Sequence, residues 1–292
     1  MSISINTNVG ASLAAYNLGT AGVNLRRSME RLSSGSRINS SFDDAGGLAV
    51  SMKLSASIRR TDATLSNVNN AVSFLQTQDG ALAVADKLLN RMSELTVLAM
   101  DVTKTTDDLT MYNTELGVLQ EQLYDVCDEE FNGIKLFDPG AAAGAAIGYN
   151  APDLATTLNV IISEDGGRTM GITQADLDSI SWTVGHSLTQ NPRMKIDDKT
   201  NLTFSLGYVT QAINSLGVLR AYNGAQQTQL NHSLSILSEN KMNLETANSR
   251  IQDVDVASES AKMASEKIRY EAATAMLAQA NQSQQSLLRL IL

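Results

Sequence analysis

Proline placement constrains this chain more than any other feature of its sequence. All three prolines (Pro139, Pro152 and Pro192) fall near the middle, and residues 1–138 and 193–292 contain none. Proline lacks the N–H that a helix needs and clashes with the preceding turn, so it interrupts helices. Both flanks are therefore free to form long helices. The middle carries the glycine-rich run GAAAGAAIG at 140–148. It is therefore expected to form turns and structure other than long helices.

Apolar residues of the first flank repeat at heptad spacing. They are Leu54, Ile58, Leu65, Val68, Val72, Leu75, Leu82 and Leu89. The repeat predicts a helix from about residue 44 to 100, about 85 Å long, whose apolar seam needs a partner. Asp43 and Asp44 precede it as candidate N-caps. A second helix is predicted over 107–129, with Leu109, Leu116, Leu119, Leu123 and Val126 on one face.

The second flank carries a matching seam, which supplies that partner. Its residues are Leu230, Leu234, Leu237, Leu244, Ile251 and Val254. Residues 257–292 continue with a thinner apolar stripe in a segment rich in Ala, Ser and Gln. Both extreme ends are too weakly apolar to hold a fold unaided, so we expect them to become ordered when packed against other copies of the chain.

The middle of the chain contains two runs of β-like composition between turn signals. They are LNVII at 158–162 and SWTV at 181–184. We therefore predict a mainly α fold. A long antiparallel coiled coil or helical bundle is built from the N- and C-terminal segments, and a small β-containing insert lies between them.

Composition excludes several classes of function. A net charge of -9 argues against nucleic acid as the main partner, because phosphate binding needs an excess of Lys and Arg. The local cluster of Arg26, Arg27, Arg31 and Arg37 is better interpreted as a solvated or partner-facing helix surface. The sequence contains no run of about 18 apolar residues, so no membrane-spanning helix is predicted. Residues 1–10 do not resemble a Sec signal peptide. Any export is expected to occur without a cleaved signal.

Enzymatic motifs are missing from the sequence. His186 and His232 stand apart from any second ligand at helical spacing, and no phosphate-binding glycine loop is present. The single Cys127 has acidic neighbours, which would raise its pKa rather than activate it. We therefore predict no catalytic residues, no cofactor and no metal.

Several motifs resemble the bacterial flagellin family. They are INTN at 5–8, ERLSSGSRINSSFDDAGGLAVS at 30–51, FNGIKLF at 131–137, SRIQDVDVASES at 249–260 and AMLAQANQSQQSLLRLIL at 275–292. The resemblance covers about 1–137 and 204–292. Gly46 stands where the family usually has Ala, and the segment between Leu119 and Phe131 is one residue shorter than the common pattern. The insert between the two matching regions is also short.

The resemblance implies a structural subunit that polymerises head to tail into the flagellar filament, the helical propeller for swimming. It implies inner-tube terminal helices at 1–43 and 255–292, a helical bundle at 44–137 and 204–254, and a short variable outer insert at 138–203. The filament must be curved, which implies two subunit packings of nearly equal energy. Residues expected to pack in the inner tube are Ile5, Leu13, Leu18, Leu25, Leu32, Ile38, Ile268, Met276, Leu277, Leu287, Leu288 and Ile291.

The same resemblance implies partners and a location. The chain is expected outside the cell, exported by the flagellar type III secretion system, with an export chaperone, hook-associated proteins and cap proteins as partners. Its segment 89–98 is similar to the one that vertebrate Toll-like receptors sense, through Arg91, Glu94 and Leu95. The alternative is that Leu95 packs in the bundle while Arg91 and Glu94 pair on the helix surface.

Two alternative functions stay open at this point. A hook-filament junction protein shares the terminal helices, although the ERLSSG and LAQANQ motifs favour a flagellin. A flagellin-like chain with an enzymatic insert is the more remote alternative, because about 65 residues without a ligand cluster leave little room for an active site.

Overall fold

A computed structural model describes residues 7–137, 157–177, 180–181, 184, 195–196 and 202–291. The chain divides into two compact units. The terminal unit comprises Met1–Arg59 and Met242–Leu292, and the central unit comprises Arg60–Lys241.

Five long helices account for most of the described chain, and their bounds follow the proline map. They are α1 (Val9–Ser34), α2 (Ala45–Ala99), α3 (Thr106–Cys127), α4 (Leu202–Gln252) and α5 (Val256–Ile291). The 55 residues of α2 confirm the long helix expected over 44–100. Because α4 ends at Gln252, Val254 lies beyond the helix in which its spacing had placed it.

Local capping explains where two of these helices begin. Asp44 Oδ1 accepts a hydrogen bond of 2.8 Å from the Gly47 N–H, so Asp44 caps α2. A Cβ on Gly47 would lie 2.5 Å from Asp44 Oδ2 and 2.8 Å from Ile38 Cδ1, so a larger residue here would displace the capping side chain of Asp44 and the side chain of Ile38. One on Gly46 would meet only Asp44 Oδ1, at 3.6 Å, so the alanine usual at this position would also fit. Thr105 and Asp108 form a capping box at the start of α3.

In the terminal unit, α1 and α5 pack against each other in antiparallel orientation. Asn8 Nδ2 donates to the Ala280 carbonyl at 3.1 Å, and Ser28 Oγ donates to Glu259 Oε1 at 2.6 Å. The connections at their other ends are joined by backbone hydrogen bonds, from Arg37 N–H to Gln252 O and from Val254 N–H to Gly35 O.

The central unit contains the hydrophobic core. Seam residues Val68, Leu75, Leu82, Leu89 and Leu230 are fully buried in it. Buried amides link the α2 and α4 helices: Asn223 Nδ2 donates to Leu75 O at 3.1 Å and to Gln78 Oε1 at 2.7 Å. Because these polar groups find partners only in one register, they fix the alignment of the two helices.

The described part of the central unit also contains two short antiparallel hairpins. In the first, β1 (Glu130–Phe131) pairs with β2 (Ile134–Lys135). The intervening Asn132 and Gly133 have φ angles of 53° and 77°, the pattern of a type I′ turn. In the second, β3 (Thr157–Ile161) pairs with β4 (Thr169–Thr173). The strand expected at 158–162 is thus confirmed with a shift of one residue.

The strand expected at 181–184 is wrong. Ile180, Ser181 and Val184 are helical, and the Ser181 N–H donates to the Leu177 carbonyl four residues earlier. Leu177, Ile180 and Val184 are all buried, with the i, i+3, i+7 spacing of a helix face. The β-like composition of SWTV suggested a strand, whereas the spacing of the apolar residues around it determines the local structure.

Candidate assembly surface

The contact between α1 and α5 is a heptad seam of unusual composition. On α1 the buried and half-buried positions that form it are Ala11, Ala14, Leu18, Ala21, Leu25, Ser28 and Leu32, spaced 3 and 4 apart in alternation. On α5 the buried and half-buried positions are Glu259, Met263, Glu266, Ala273, Leu277, Ala280 and Gln284. Tyr270 continues the same spacing but is more exposed. We call these residues the inner seam.

Small and polar residues make the inner seam a weak source of stability. In the described part of the terminal unit, the buried apolar residues are Ala21 and Ile38. Buried Glu259 and Glu266 occupy seam positions on α5 where a coiled coil normally places apolar residues. Since stabilisation scales with the apolar area removed from water, the inner seam contributes far less than the central core.

A second apolar stripe on α1 points away from α5. Val9, Leu13, Tyr16 and Val23 are spaced 4, 3 and 7 apart and are all exposed, Leu13 to 61%. We call these four residues the outer face of α1. On α5, Ile268 and Met276 are 67% and 64% exposed. A helix pair with apolar residues both inside and outside has more apolar surface than one chain can bury.

The residues expected in the inner tube thus divide into three groups. Leu13, Ile268 and Met276 are exposed and available to another molecule. Leu18, Leu25, Leu32 and Leu277 are half-buried in the inner seam, and Ile38 is buried in its own unit. Ile5 and the side chains of Leu287, Leu288 and Ile291 lie outside the described residues. The sequence patterns missed the outer-face residues Val9, Tyr16 and Val23, although their heptad spacing could have revealed them.

A charged cluster joins α1, the α1–α2 connection and the start of α5. Asp43 Oδ1 lies 3.5 Å from Arg27 Nε and 3.7 Å from Arg31 Nη2, and the Arg27 guanidinium lies 5.8 Å from the Phe42 ring centroid. Burial disfavours the charged form of Asp43. Hydrogen bonds from the backbone N–H groups of Asn39 and Ser40 and the charge of Arg31 nevertheless hold its pKa below the usual value.

The segment 89–98 lies in the central unit, at the end of α2. Arg91 pairs with Glu94 at 3.0 Å and with Glu115 on α3 at 2.7 Å. Hydrogen bonds to Glu115 and then to Glu94 raise the pKa of Arg91. Leu95 is fully buried, so no partner can reach its side chain in this fold.

Sites for chemistry are few in the described part of the chain. No group of three or more His, Cys, Asp or Glu residues there could hold a metal ion. Cys127 is buried, with its thiol 3.3 Å from the Leu123 carbonyl, and His232 is exposed. His186 lies outside the described residues. Among the described helices, none combines the length and hydropathy that a bilayer crossing requires.

Comparison with known proteins connects this geometry to one family. Residues 5–141 match the bacterial flagellin N-terminal helical region, and 206–291 match the bacterial flagellin C-terminal helical region. Over 98% of its length the chain is 33% identical to flagellin from Halalkalibacterium halodurans and 35% identical to flagellin from Bacillus subtilis, covering 99% of each.

One solved structure shares the fold at lower sequence identity. It is described as a putative flagellar hook-associated protein from Vibrio parahaemolyticus, with a TM-score of 0.58 and 16% identity. The similarity covers 72% of this chain and all of that one. At this identity the match concerns the arrangement of helices alone.

Proposed function

This chain belongs to the bacterial flagellin family and is a structural subunit of the flagellar filament, and we propose that it polymerises through the exposed apolar residues of α1 and α5. The outer face of α1 carries this proposal, because a heptad stripe that stays exposed among the described residues matches the surface that a second copy would cover. Fully burying one side chain of the size of Leu13 contributes about 1.5–3 kcal/mol. Several such side chains per subunit, repeated at a contact that does not close, give an open helical polymer.

The proposal assigns a place in the filament to each region of the chain. Residues 1–43 and 255–292 form the inner tube of the filament, where the exposed side chains of Leu13, Ile268 and Met276 pack against other copies of the chain. Residues 44–137 and 204–254 form a helical bundle outside it, stabilised by its own core. Residues 138–203 form a short variable insert on the outer surface.

Other partners meet the chain before and after assembly. We expect an export chaperone to cover the weakly packed C-terminal helix, and the type III system to export the chain without a cleaved signal. Hook-associated and cap proteins contact the filament ends. The filament role needs no catalysis, so we propose none.

We infer that a vertebrate Toll-like receptor would recognise this segment through Arg91 and Glu94, whose side chains are exposed. Leu95 then acts only by holding α2 in place, since its side chain is fully buried. The existing pairing of Arg91 with two carboxylates means that a receptor must compete for this guanidinium.

A hook-filament junction protein is the alternative that the fold permits. Such proteins share the arrangement of terminal helices, which the fold likeness to the hook-associated protein illustrates. The identity to flagellins over nearly the whole chain favours the filament subunit, because it includes the segment between the terminal regions.

The decisive experiment replaces one outer-face residue and measures polymerisation. Leu13→Gln should raise the critical concentration for seeded assembly about tenfold or more, as expected for the loss of about 1.5 kcal/mol or more of burial. Val102→Asn is the matched control, since Val102 is also exposed, to 88%, but lies in the central unit. Equal critical concentrations for both variants would contradict the proposal, as would wild-type chain that never forms filaments on seeds.

A further inference from the structure

The methionines of this chain differ widely in the exposure of their side chains. Met92 and Met170 are buried in the central core. Five others are exposed, to between 55% and 70%, and these are Met29, Met52, Met111, Met242 and Met276. Peroxides oxidise the thioether of an accessible methionine to a sulfoxide, which turns a flexible apolar side chain into a polar one. The consequence of that oxidation depends on what the side chain would otherwise contact.

Met276 stands on an uncharged part of α5. Residues 272–288 contain no charged side chain, and the residues one helical turn before and after Met276 are Ala272 and Ala280. Its side chain is 64% exposed, so it projects from a surface of small residues. Such a side chain is well placed for apolar contact with another copy of the chain.

The other exposed methionines lie among charges. Met111, on α3 in the central unit, has Asp107 four residues before it and Glu115 four residues after it. The remaining three each stand directly beside a charged residue in the sequence, and they are Met29, Met52 and Met242. A sulfoxide at Met111 stays in water, so it should not affect the proposed contact between subunits. Met111 is therefore an internal reference for Met276.

We propose that Met276 is an oxidation site that controls assembly: hydrogen peroxide oxidises its thioether in the free chain, and the sulfoxide prevents α5 from packing against another copy. The inference rests on the proposed polymerisation through α1 and α5. In the reaction the sulfur loses two electrons and gains one oxygen atom, the O–O bond of the peroxide breaks, and water is released.

The surface around Met276 offers the sulfoxide little compensation. The hydroxyls of Thr274 and Ser283, on either side of it along the helix, already donate to carbonyls of α5. Burying a polar oxygen that lacks a donor is unfavourable, so the oxidised subunit should remain in solution. In the filament, the same burial should shield the thioether of Met276 from peroxide.

Partial oxidation of the free full-length chain tests the proposal with its internal reference. Chain treated with a limiting dose of hydrogen peroxide is polymerised on seeds and sedimented, and peptide mass spectrometry measures the sulfoxide at each methionine in pellet and supernatant. Sulfoxide at Met276 should be about tenfold enriched in the supernatant, as expected for a weakened contact. Sulfoxide at Met111 should be distributed equally. In preformed filaments, Met111 should react with peroxide while Met276 is protected.

A variant without the sulfur tests the same point independently. Met276→Leu keeps an apolar side chain of similar size, so it should assemble after a peroxide dose that raises the critical concentration of wild-type chain about tenfold. Met111→Leu is the matched control and should remain as sensitive to peroxide as wild type.

The outcomes separate this inference from the proposed assembly. Equal distribution of Met276 sulfoxide between the fractions would overturn the inference, as would a Met276→Leu chain that peroxide inhibits as strongly as wild type. An absence of sulfoxide at Met276 when Met111 is oxidised would also overturn it. Untreated chain that forms no filaments on seeds would instead overturn the assembly proposal.

Discussion

The terminal and central units use the same element, the long amphipathic helix, with opposite results. In the central unit, seam positions such as Leu75, Leu82 and Leu89 are fully buried among three helices and two hairpins. In the terminal unit, the corresponding positions of α1 alternate Leu with Ala or Ser, and α5 places glutamates in its seam. Heptad spacing is thus common to both units, and residue size and polarity decide whether a helix pair is stable alone.

This difference shows how a folded chain can keep apolar surface exposed for contact with other copies. Apolar surface that the terminal unit does not bury in its inner seam appears on its outside, at Leu13, Ile268 and Met276. A neighbour that covers these side chains gives the terminal unit the apolar burial that its inner seam lacks. Stability in the terminal unit is therefore expected to depend on concentration.

The largest expected effect is a core truncation in the central unit. Leu82→Ala removes a fully buried side chain and should lower the free energy of unfolding by about 2–5 kcal/mol. Leu25→Ala, at a half-buried inner-seam position, should cost the free chain about 1 kcal/mol or less, because less contact is lost. Urea unfolding of the free chain, followed by circular dichroism, measures both. Equal losses would remove the distinction between the two units.

A smaller effect is expected from the buried amide link. Asn223→Ala deprives Gln78 Oε1 and the Leu75 carbonyl of a buried donor and should cost about 1–3 kcal/mol. Thr228→Ala is a suitable control, since its hydroxyl bonds to the Gly224 carbonyl on the exposed side of the same helix. The same unfolding measurement applies, and indistinguishable midpoints would show that the amide link does not stabilise α2 against α4.

The smallest effect concerns pH. Asp43 has a lowered pKa in the folded chain, so its contribution to stability is present above the pKa of the unfolded state, near 3.8, and is lost as pH falls through the folded pKa. The groups that face it are Arg27 and Arg31, and Glu259 faces Arg31 from α5. Asp43→Asn should flatten the acid limb of the terminal-unit stability curve, recorded by amide exchange of α1 between pH 5 and pH 2. An unaltered slope would contradict the role of Asp43.

Much of the fold could be predicted from the sequence, because long helices depend on local rules. The absence of proline and the first heptad seam located α2 to within a few residues, whereas the second seam, which begins at Leu230, predicted the C-terminal half of α4. The error at 181–184 arose because tryptophan and β-branched residues favour strands, although Leu177, Ile180 and Val184 follow helical spacing. The wider spacing of apolar residues, and not the composition of these four residues, determines the local structure.

The candidate assembly surface could be predicted only in part. Leu13 and Leu18 both look like apolar helix residues in the sequence, yet one is exposed and the other lies in the inner seam. Which stripe faces α5 depends on the small residues Ala14, Ala21 and Ser28, which carry little hydropathy signal. The position of Arg31 between Asp43 and Glu259 depends on segments far apart in sequence, so no local pattern could reveal it.

Amide hydrogen exchange of the free chain and of the filament tests the central claim most directly. In the free chain, α1 and α5 should exchange rapidly while the central-unit part of α2 is protected, since only the latter has a buried core. In the filament, α1 and α5 should become as protected as α2. Equal protection of α1, α5 and α2 in the free chain would contradict the account, because the terminal unit would then be stable without a neighbour.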